Sequence, residues 1–287
     1  MGLTMVGAGY RSELPELYAG PDGCAVDVVE LIADRYFADA GFCRSWELRE
    51  LGAAGIPVAI HGLSGNVASM CGPTEAYLER ISRLADAVGA VAYSDHLAFT
   101  AAGGHALGHL APNRFDDELL ERAVANIARI SAATGRRVRL ENLATTTMIS
   151  GSTYTPEEFY RELLDASPDW DCLLDLTNVW INSQNRPLDA EAFIDSLPAD
   201  RIRYIHLAGG TRHGDEWVDS HSRPVHEEVF GLLERVLTRA SPDIIFIERD
   251  TDWEGAADQV RADLATVRNL LVAVGRSASR ELAAPRS

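Results

Sequence analysis

Short apolar runs rich in β-branched residues recur along the whole chain, and stretches of helical period lie between them. The runs are Leu3–Gly9, Ala25–Leu31, Ile56–Ile60, Ala90–Tyr93, Arg137–Leu140, Asp171–Leu174, Ile202–Ile205 and Ile244–Ile247. The helical stretches include Thr74–Val88, Asp116–Thr134, Thr155–Ala166, Val225–Arg239 and Glu254–Val274. In Asp116–Thr134, residues Leu119, Leu120, Ala123, Val124, Ile127 and Ile130 follow the i, i+3, i+4, i+7 stripe of one buried face. Thr155-Pro156-Glu157-Glu158 reads as an N-cap with proline at the first helical position and acids in the first turn. Strands that are apolar throughout are buried on both faces, as in a parallel sheet covered by helices. Eight such units predict one α/β domain over residues 1–275, a closed (β/α)8 barrel of the TIM type. An open doubly wound sheet is the competing architecture, but Gly7-Ala8-Gly9 lacks the third glycine of a dinucleotide-binding loop. Residues 276–287 are polar and alanine-rich and are expected to fray.

Composition narrows the function. The chain has 287 residues, 46% hydrophobic and 24% charged, so it can bury a large core and is not disordered in the main. A net charge of −17 would repel a phosphate backbone, and no nucleic-acid partner is expected. No apolar run approaches the ~20 residues that cross a bilayer, so no membrane partner is expected either. Met1–Tyr10 has neither a basic opening nor a small-residue cleavage site, which makes the cytoplasm the expected location. Cys24, Cys43, Cys71 and Cys172 stand far apart with no CxxC pair, unlike a disulfide framework or a zinc ribbon.

The polar residues that end the apolar runs carry the chemistry. Glu30 closes the second run, His61 follows the third, Asp95-His96 the fourth and Glu141-Asn142 the fifth. Asp175 follows the sixth, His206 the seventh and Glu248 the eighth. A parallel barrel brings all strand C-termini to one rim, where active sites on this architecture sit. Asn178 lies three residues past Asp175, close enough for a loop to aim both inward. Asp219-Ser220-His221 puts an acid and an imidazole on one side of an extended segment.

His61, His96, Glu141, Asp175, Asn178, His206, Asp219, His221 and Glu248 are therefore nine candidate metal ligands. A catalytic zinc takes about three protein ligands and a water, so nine donors suit two or three ions. Imidazole with carboxylate fits iron, manganese or zinc. Burying four carboxylates without cations would be costly, and metal answers that cost. Glu30 reads either as a ligand or as a group that orients one from behind. His105, His109, His213 and His226 read as surface or substrate-loop histidines. No G-x-S-x-G elbow is present for serine-nucleophile chemistry.

At these residues the chain resembles the multinuclear non-heme iron-dependent oxidative enzymes, a family that includes the iron oxidase of methanobactin biosynthesis. The resemblance lies in Gly7-Ala8-Gly9-Tyr10-Arg11, His61-Gly62, Ser94-Asp95-His96-Leu97 and Glu141-Asn142. It continues through Asp175-Leu176-Thr177-Asn178-Val179 with Asn185 beyond, and through His206-Leu207-Ala208-Gly209. Asp219-Ser220-His221, Pro224-Val225 and Ile247-Glu248-Arg249-Asp250 complete an ordered set from residue 7 to 250. The resemblance implies a barrel holding two or three irons (Fe2+/Fe3+) on the nine residues above, with dioxygen as co-substrate. It adds Asp95, Glu30 and Arg11 as catalytic residues. In relatives a substrate thiolate binds one iron, dioxygen binds a neighbour, and hydrogen is taken from the cysteine β-carbon.

The chain departs from the family at Ser12-Glu13-Leu14-Pro15, Ala33-Asp34-Arg35-Tyr36 and Leu143-Ala144-Thr145. These are substrate-facing or supporting positions, and the ligand set is whole. The expected function is an iron- and dioxygen-dependent oxidoreductase that modifies a peptide side chain, cysteine first, in ribosomal peptide natural-product maturation. A separate partner protein presenting the leader peptide is expected with it. The alternative is a divalent-metal sugar isomerase or epimerase, or a phosphoester hydrolase, on the same barrel. A third reading is a barrel that keeps its ligands for stability or partner binding.

Overall fold

A computed structural model describes residues 3–19, 24–38, 41–42, 45–103, 105–145 and 149–276. Cys43 and the expected frayed tail beyond residue 276 lie outside them. Eight parallel strands form the centre: β1 (Met5–Gly9), β2 (Val29–Ile32), β3 (Val58–His61), β4 (Ala92–His96), β5 (Val138–Glu141), β6 (Trp170–Asp175), β7 (Ile202–His213) and β8 (Ile244–Glu248). Each pairs with its neighbours in chain order, β1 pairs with β8, and the β6–β7 pairing leaves no open edge. The barrel is closed, as the eightfold alternation predicts.

Helices Glu75–Ala87, Asp117–Thr134, Pro156–Ala166, Glu227–Arg239 and Ala256–Ala273 pack on its outside, each within two residues of its predicted span. The predicted N-cap at Thr155 is a full capping box, in which Glu158 Oε2 accepts from the Thr155 N–H and Thr155 Oγ1 accepts from the Glu158 N–H. Inside the barrel, Val28, Leu173, Tyr204, Ile244 and Phe246 form an apolar floor. Polar groups above that floor are held away from bulk water.

Three features differ from the sequence reading. The segment after Asp175 is a helix, Leu176–Asn185, and not a loop. Asp175 caps it, accepting the Asn178 N–H on Oδ1 at 2.6 Å. β7 does not stop at Ile205 but runs on to His213 and turns back as strand Glu216–Arg223. A second hairpin, Phe99–Ala102 with His105–Ala111, follows β4. Both hairpins rise above the strand C-termini, where His109 and Leu110 of one and Trp217 and Val218 of the other line the same cavity.

Candidate metal centre

Strand register sets the donors side by side. His96 lies opposite Glu141 across β4–β5, and Asp175 opposite His206 across β6–β7. The Nε2 atoms of His61 and His96 face each other at 3.3 Å, with Glu141 Oε2 3.5 and 3.4 Å away. Each ring is fixed from behind, His61 Nδ1 on Ser94 Oγ at 2.8 Å and His96 Nδ1 on the Gly62 carbonyl at 3.2 Å. An Nδ1 that donates to a carbonyl turns its Nε2 lone pair inward, the tautomer a metal ligand needs. Burial holds His61 well below the usual imidazole range, and neighbouring His96 and His206 push the same way. His96 is lowered to about 4, chiefly by burial. Both rings are neutral at pH 7.

Three donor groups follow one another around the rim: His61, His96 and Glu141; Glu141, Asp175 and His206; Glu30, His206 and Glu248. Within each group the donor atoms lie within 4.8 Å of one another. Asp219 and His221 extend the set from the return strand. His221 Nε2 is 2.8 Å from Asp219 Oδ1 and 3.9 Å from Glu248 Oε2. Asn178 closes it on the other side, its Nδ2 donating to the Asn142 carbonyl at 3.0 Å and lying 3.5 Å from Glu141 Oε1. The nine candidates form one contiguous ring. Seven line a cavity of about 610 Å³, and Asp175 and His206 lie fully buried beneath it.

Seven of the nine also carry a buried side-chain atom with no hydrogen-bond partner. The atoms are Glu141 Oε2, Asp175 Oδ2, Asn178 Oδ1, His206 Nδ1, Asp219 Oδ1, His221 Nε2 and Glu248 Oε2. A buried polar atom left unpaired costs about 1–3 kcal/mol, so a cluster of such atoms persists only where protons or cations compensate them. Two pairs among the seven face each other, His221 Nε2 with Asp219 Oδ1 at 2.8 Å and His206 Nδ1 with Glu248 Oε2 at 3.1 Å, and can share a proton. The same converging nitrogen and oxygen atoms are a donor set that could hold cations.

The electrostatics agree. Burial raises Glu141 and Asp175 well above the usual carboxylate range, and neighbouring acids add to it. Burial opposes a charge on His206, but Glu248, Glu30 and Glu141 outweigh it and raise the imidazole well above its usual range. These are acids and bases sharing protons where metal charge fits.

None of the expected catalytic groups lines the cavity wall: Asp95 and Arg11 stand behind the ring, and Glu30 sits beside His206 in one of the three donor groups. Glu30 accepts the Tyr204 hydroxyl at 2.6 Å and faces His206 Nε2 at 3.0 Å, so His206 Nδ1 turns to the cavity. Arg11, 2% exposed, grips Asp250 at 2.7 Å through Nε, and Asp250 Oδ2 holds His221 Nδ1 at 2.9 Å. His221 has a backbone φ of 47°, a left-handed conformation unusual for a side chain of its size. The Asp250 N–H donating to the His221 carbonyl at 2.8 Å fixes that strained residue from its other end.

Asp95 is fully buried on the far side of His96. Its Oδ2 accepts the Tyr93 and Tyr77 hydroxyls at 2.5 and 2.9 Å, and its Oδ1 accepts the His96 N–H at 2.8 Å. A Cβ at Gly62 or Gly65 would strike Asp95 Oδ2, so glycine lets the turn after β3 close over it. The Tyr77 and Tyr93 hydroxyls lie 3.1 Å apart and can pair with each other, so Asp95→Ala leaves the His96 N–H and one hydroxyl without an acceptor and is expected to cost about 2–3 kcal/mol. Thermal melts of the metal-free protein check this, and an unchanged midpoint would refute the role.

Sequence reasoning left His109 undivided between surface and substrate loop; the structure puts it on the cavity wall. It missed Tyr77, Tyr93 and Tyr204, which reach the site only through tertiary packing. Arg35, Leu143, Ala144 and Thr145, which the sequence reading places among its departures from the family pattern, all line the cavity, the last three from the segment just after β5.

Fold and site together define a parallel α/β barrel whose C-terminal rim gathers buried imidazoles and acids able to hold metal ions. Residues 5–272 match the family described as the RiPP precursor modification enzyme MbnB/TglH/ChrH, and the chain belongs to that family. A UPF0276 protein of Rhizorhabdus wittichii is 32% identical over 271 residues, covering 92% of this chain and 96% of its own. A UPF0276 protein of Caulobacter vibrioides is 30% identical, covering 91% and 92%. Among solved structures, the zinc-bound IOLI protein superposes with a TM-score of 0.63 at 12% identity, covering 94% of this chain and 99% of its own. The D-psicose 3-epimerase of Clostridium cellulolyticum gives 0.61 at 12%, covering 93% and 99%. At such identities the likeness is one of fold.

Proposed function

We propose that the protein is an iron-dependent, dioxygen-consuming oxidase or oxygenase that modifies a peptide side chain, with cysteine as its target, in ribosomal peptide maturation. The observation that carries this is the ring of nine donors with seven unpartnered buried atoms. Two or three bound irons would supply redox chemistry toward dioxygen and a site for a thiolate. The protein's residues present the ligands. Ser94 and the Gly62 carbonyl set His61 and His96 with Nε2 inward. Glu30 orients His206, Arg11 orients His221 through Asp250, and Asp95 holds the His96 N–H while packing beneath the turn after β3. These three are positioning residues.

Leu63, Leu143, Ala144 and Trp217 line the approach and would exclude water around an entering side chain. A cavity of about 610 Å³ takes a few residues and not a leader peptide. A separate partner protein that presents the leader is therefore part of the proposal. The fold likeness to sugar epimerases leaves a divalent-metal isomerase as the alternative, because fold alone does not decide function. In both readings a bound ion would act on the substrate, so the co-substrate separates them.

The test loads the protein with ferrous iron without oxygen, then follows oxygen uptake with a cysteine-containing peptide and with its serine counterpart. Uptake that needs both iron and the thiol, with a mass change on the peptide, is the expected result. Turnover of a ketose with zinc or manganese and no oxygen use would overturn the proposal.

A further inference from the structure

Helix Leu176–Asn185 carries Asn178, Asn182 and Asn185 at i, i+4 and i+7, a single helical face. Asn182 takes the Thr145 N–H on Oδ1 at 2.9 Å and donates Nδ2 to the Leu143 carbonyl at 2.8 Å. Asn185 does the same for the return strand. It takes the Trp217 N–H on Oδ1 and donates Nδ2 to the Trp217 carbonyl, both at 2.8 Å. A side-chain amide bonded to both main-chain groups of one residue acts as a short neighbouring strand on an otherwise open edge.

That edge carries Asp219 and His221. The return strand pairs with β7 at Trp217 and Val218 and again at Arg223, with a register shift between. Asp219 to Ser222 have no register partner on β7. β7 reaches this stretch through the Ser220 hydroxyl, which takes the Thr211 hydroxyl at 3.0 Å and lies 3.5 Å from the Gly209 carbonyl, and neither bond holds the Asp219 or His221 side chain. Asp219 and His221 are also the most exposed of the charged or imidazole donors, 22% and 17% against 8% or less for the others. Trp217 sits at the near end of the bulge, its ring 4.6 Å from Trp180 on the same helix as Asn185.

We propose that Asn185 is a positioning residue that, by clamping Trp217, holds the Asp219–His221 bulge against the fixed half of the ring at Asp175 and Asn178. The inference rests on the reading that these residues bind cations. Asn185 does not act on the donors of β3, β4 and β5, which their own strands hold. Its loss therefore weakens one part of a multi-ion site and spares another.

The test is cobalt(II) titration of wild type and Asn185→Ala, with bound metal counted after desalting and d–d absorption followed at each equivalent. The expected result is that Asn185→Ala keeps the tightest equivalent with its spectrum unchanged, while the weakest binds about 10–100-fold less tightly. Asn185→Gln, which keeps both polar groups one methylene further out, covers a failure of the alanine variant to fold; a smaller loss in the same equivalent is expected. Equal counts and affinities in wild type and variants would overturn this inference alone. A wild type that takes up no cobalt would overturn the metal reading as well.

Discussion

Glu141→Gln is expected to strip metal from the protein and, in the same variant, to make the metal-free chain more heat-stable. Glu141 Oε2 lies within 3.6 Å of ring nitrogens of His61, His96 and His206, so it is shared between two donor groups. Glutamine keeps the shape but removes the negative charge that bridges them. Even partners one step behind a metal ligand are worth about 10–100-fold in metal affinity, so losing this one is expected to exceed 100-fold for at least one ion. Without metal the sign reverses. Burial raises the Glu141 carboxyl well above its ordinary value, so its ionised form opposes folding at neutral pH. Replacing a poorly compensated buried charge with a neutral isostere relieves that opposition. Melting curves with and without added metal, beside a metal count, check both halves. A variant that melts lower than wild type under both conditions would place Glu141 in a purely structural role.

The barrel was legible because a strand buried on both faces is apolar throughout, and Ile244–Ile247 or Asp171–Leu174 has no other good explanation. Most of the ring was legible for the opposite reason, since a lone acid or histidine ending such a strand stands out. What escaped detection depended on local competition or distant contact. Leu176–Asn185 is rich in Thr, Val, Ile and Asn, poor helix formers taken singly, and it is helical because Asp175 caps it and its apolar side is buried. The apolar run ends at Ile205, but β7 extends through Gly209-Gly210, a pair that weakens a strand; Gly209 is where the return strand crosses so closely that a Cβ would strike the Arg223 backbone. Asp95 is a catalytic candidate through the family resemblance, and its surroundings come from tertiary packing. Alternation along β4 sends successive side chains to opposite faces, which puts Asp95 among Tyr77 and Tyr93 outside the barrel and His96 inside it.

Above pH 6.5, metal removal should leave a protein whose stability falls as pH rises, and metal addition should reverse that trend; below 6.5 the lowered His61 and His96 imidazoles work the other way. Glu141 and Asp175 have folded-state pKa values raised above their ordinary 4.5 and 3.8. Their contribution is whole below those values and is lost as pH climbs through the raised ones. His206 and His221 are raised above 6.5, so their contribution too is present below that value and lost above it. Glu248 runs the other way: His206 and His221 outweigh its burial and lower it, so its contribution is present above 4.5 and lost as pH falls. The metal-free protein is thus expected to be most stable in mildly acidic solution and to weaken steadily toward pH 9. A bound cation needs these same groups deprotonated, so its affinity rises over that range. At a free metal concentration about 1,000 times its dissociation constant, one ion adds about 4 kcal/mol, or roughly 10 °C in melting midpoint for a chain of this size. The gap between loaded and metal-free midpoints should therefore widen from pH 6 to pH 8. A gap that narrows over that interval would mean that the ring takes up its protons elsewhere and that the seven unpartnered atoms do not converge on a cation.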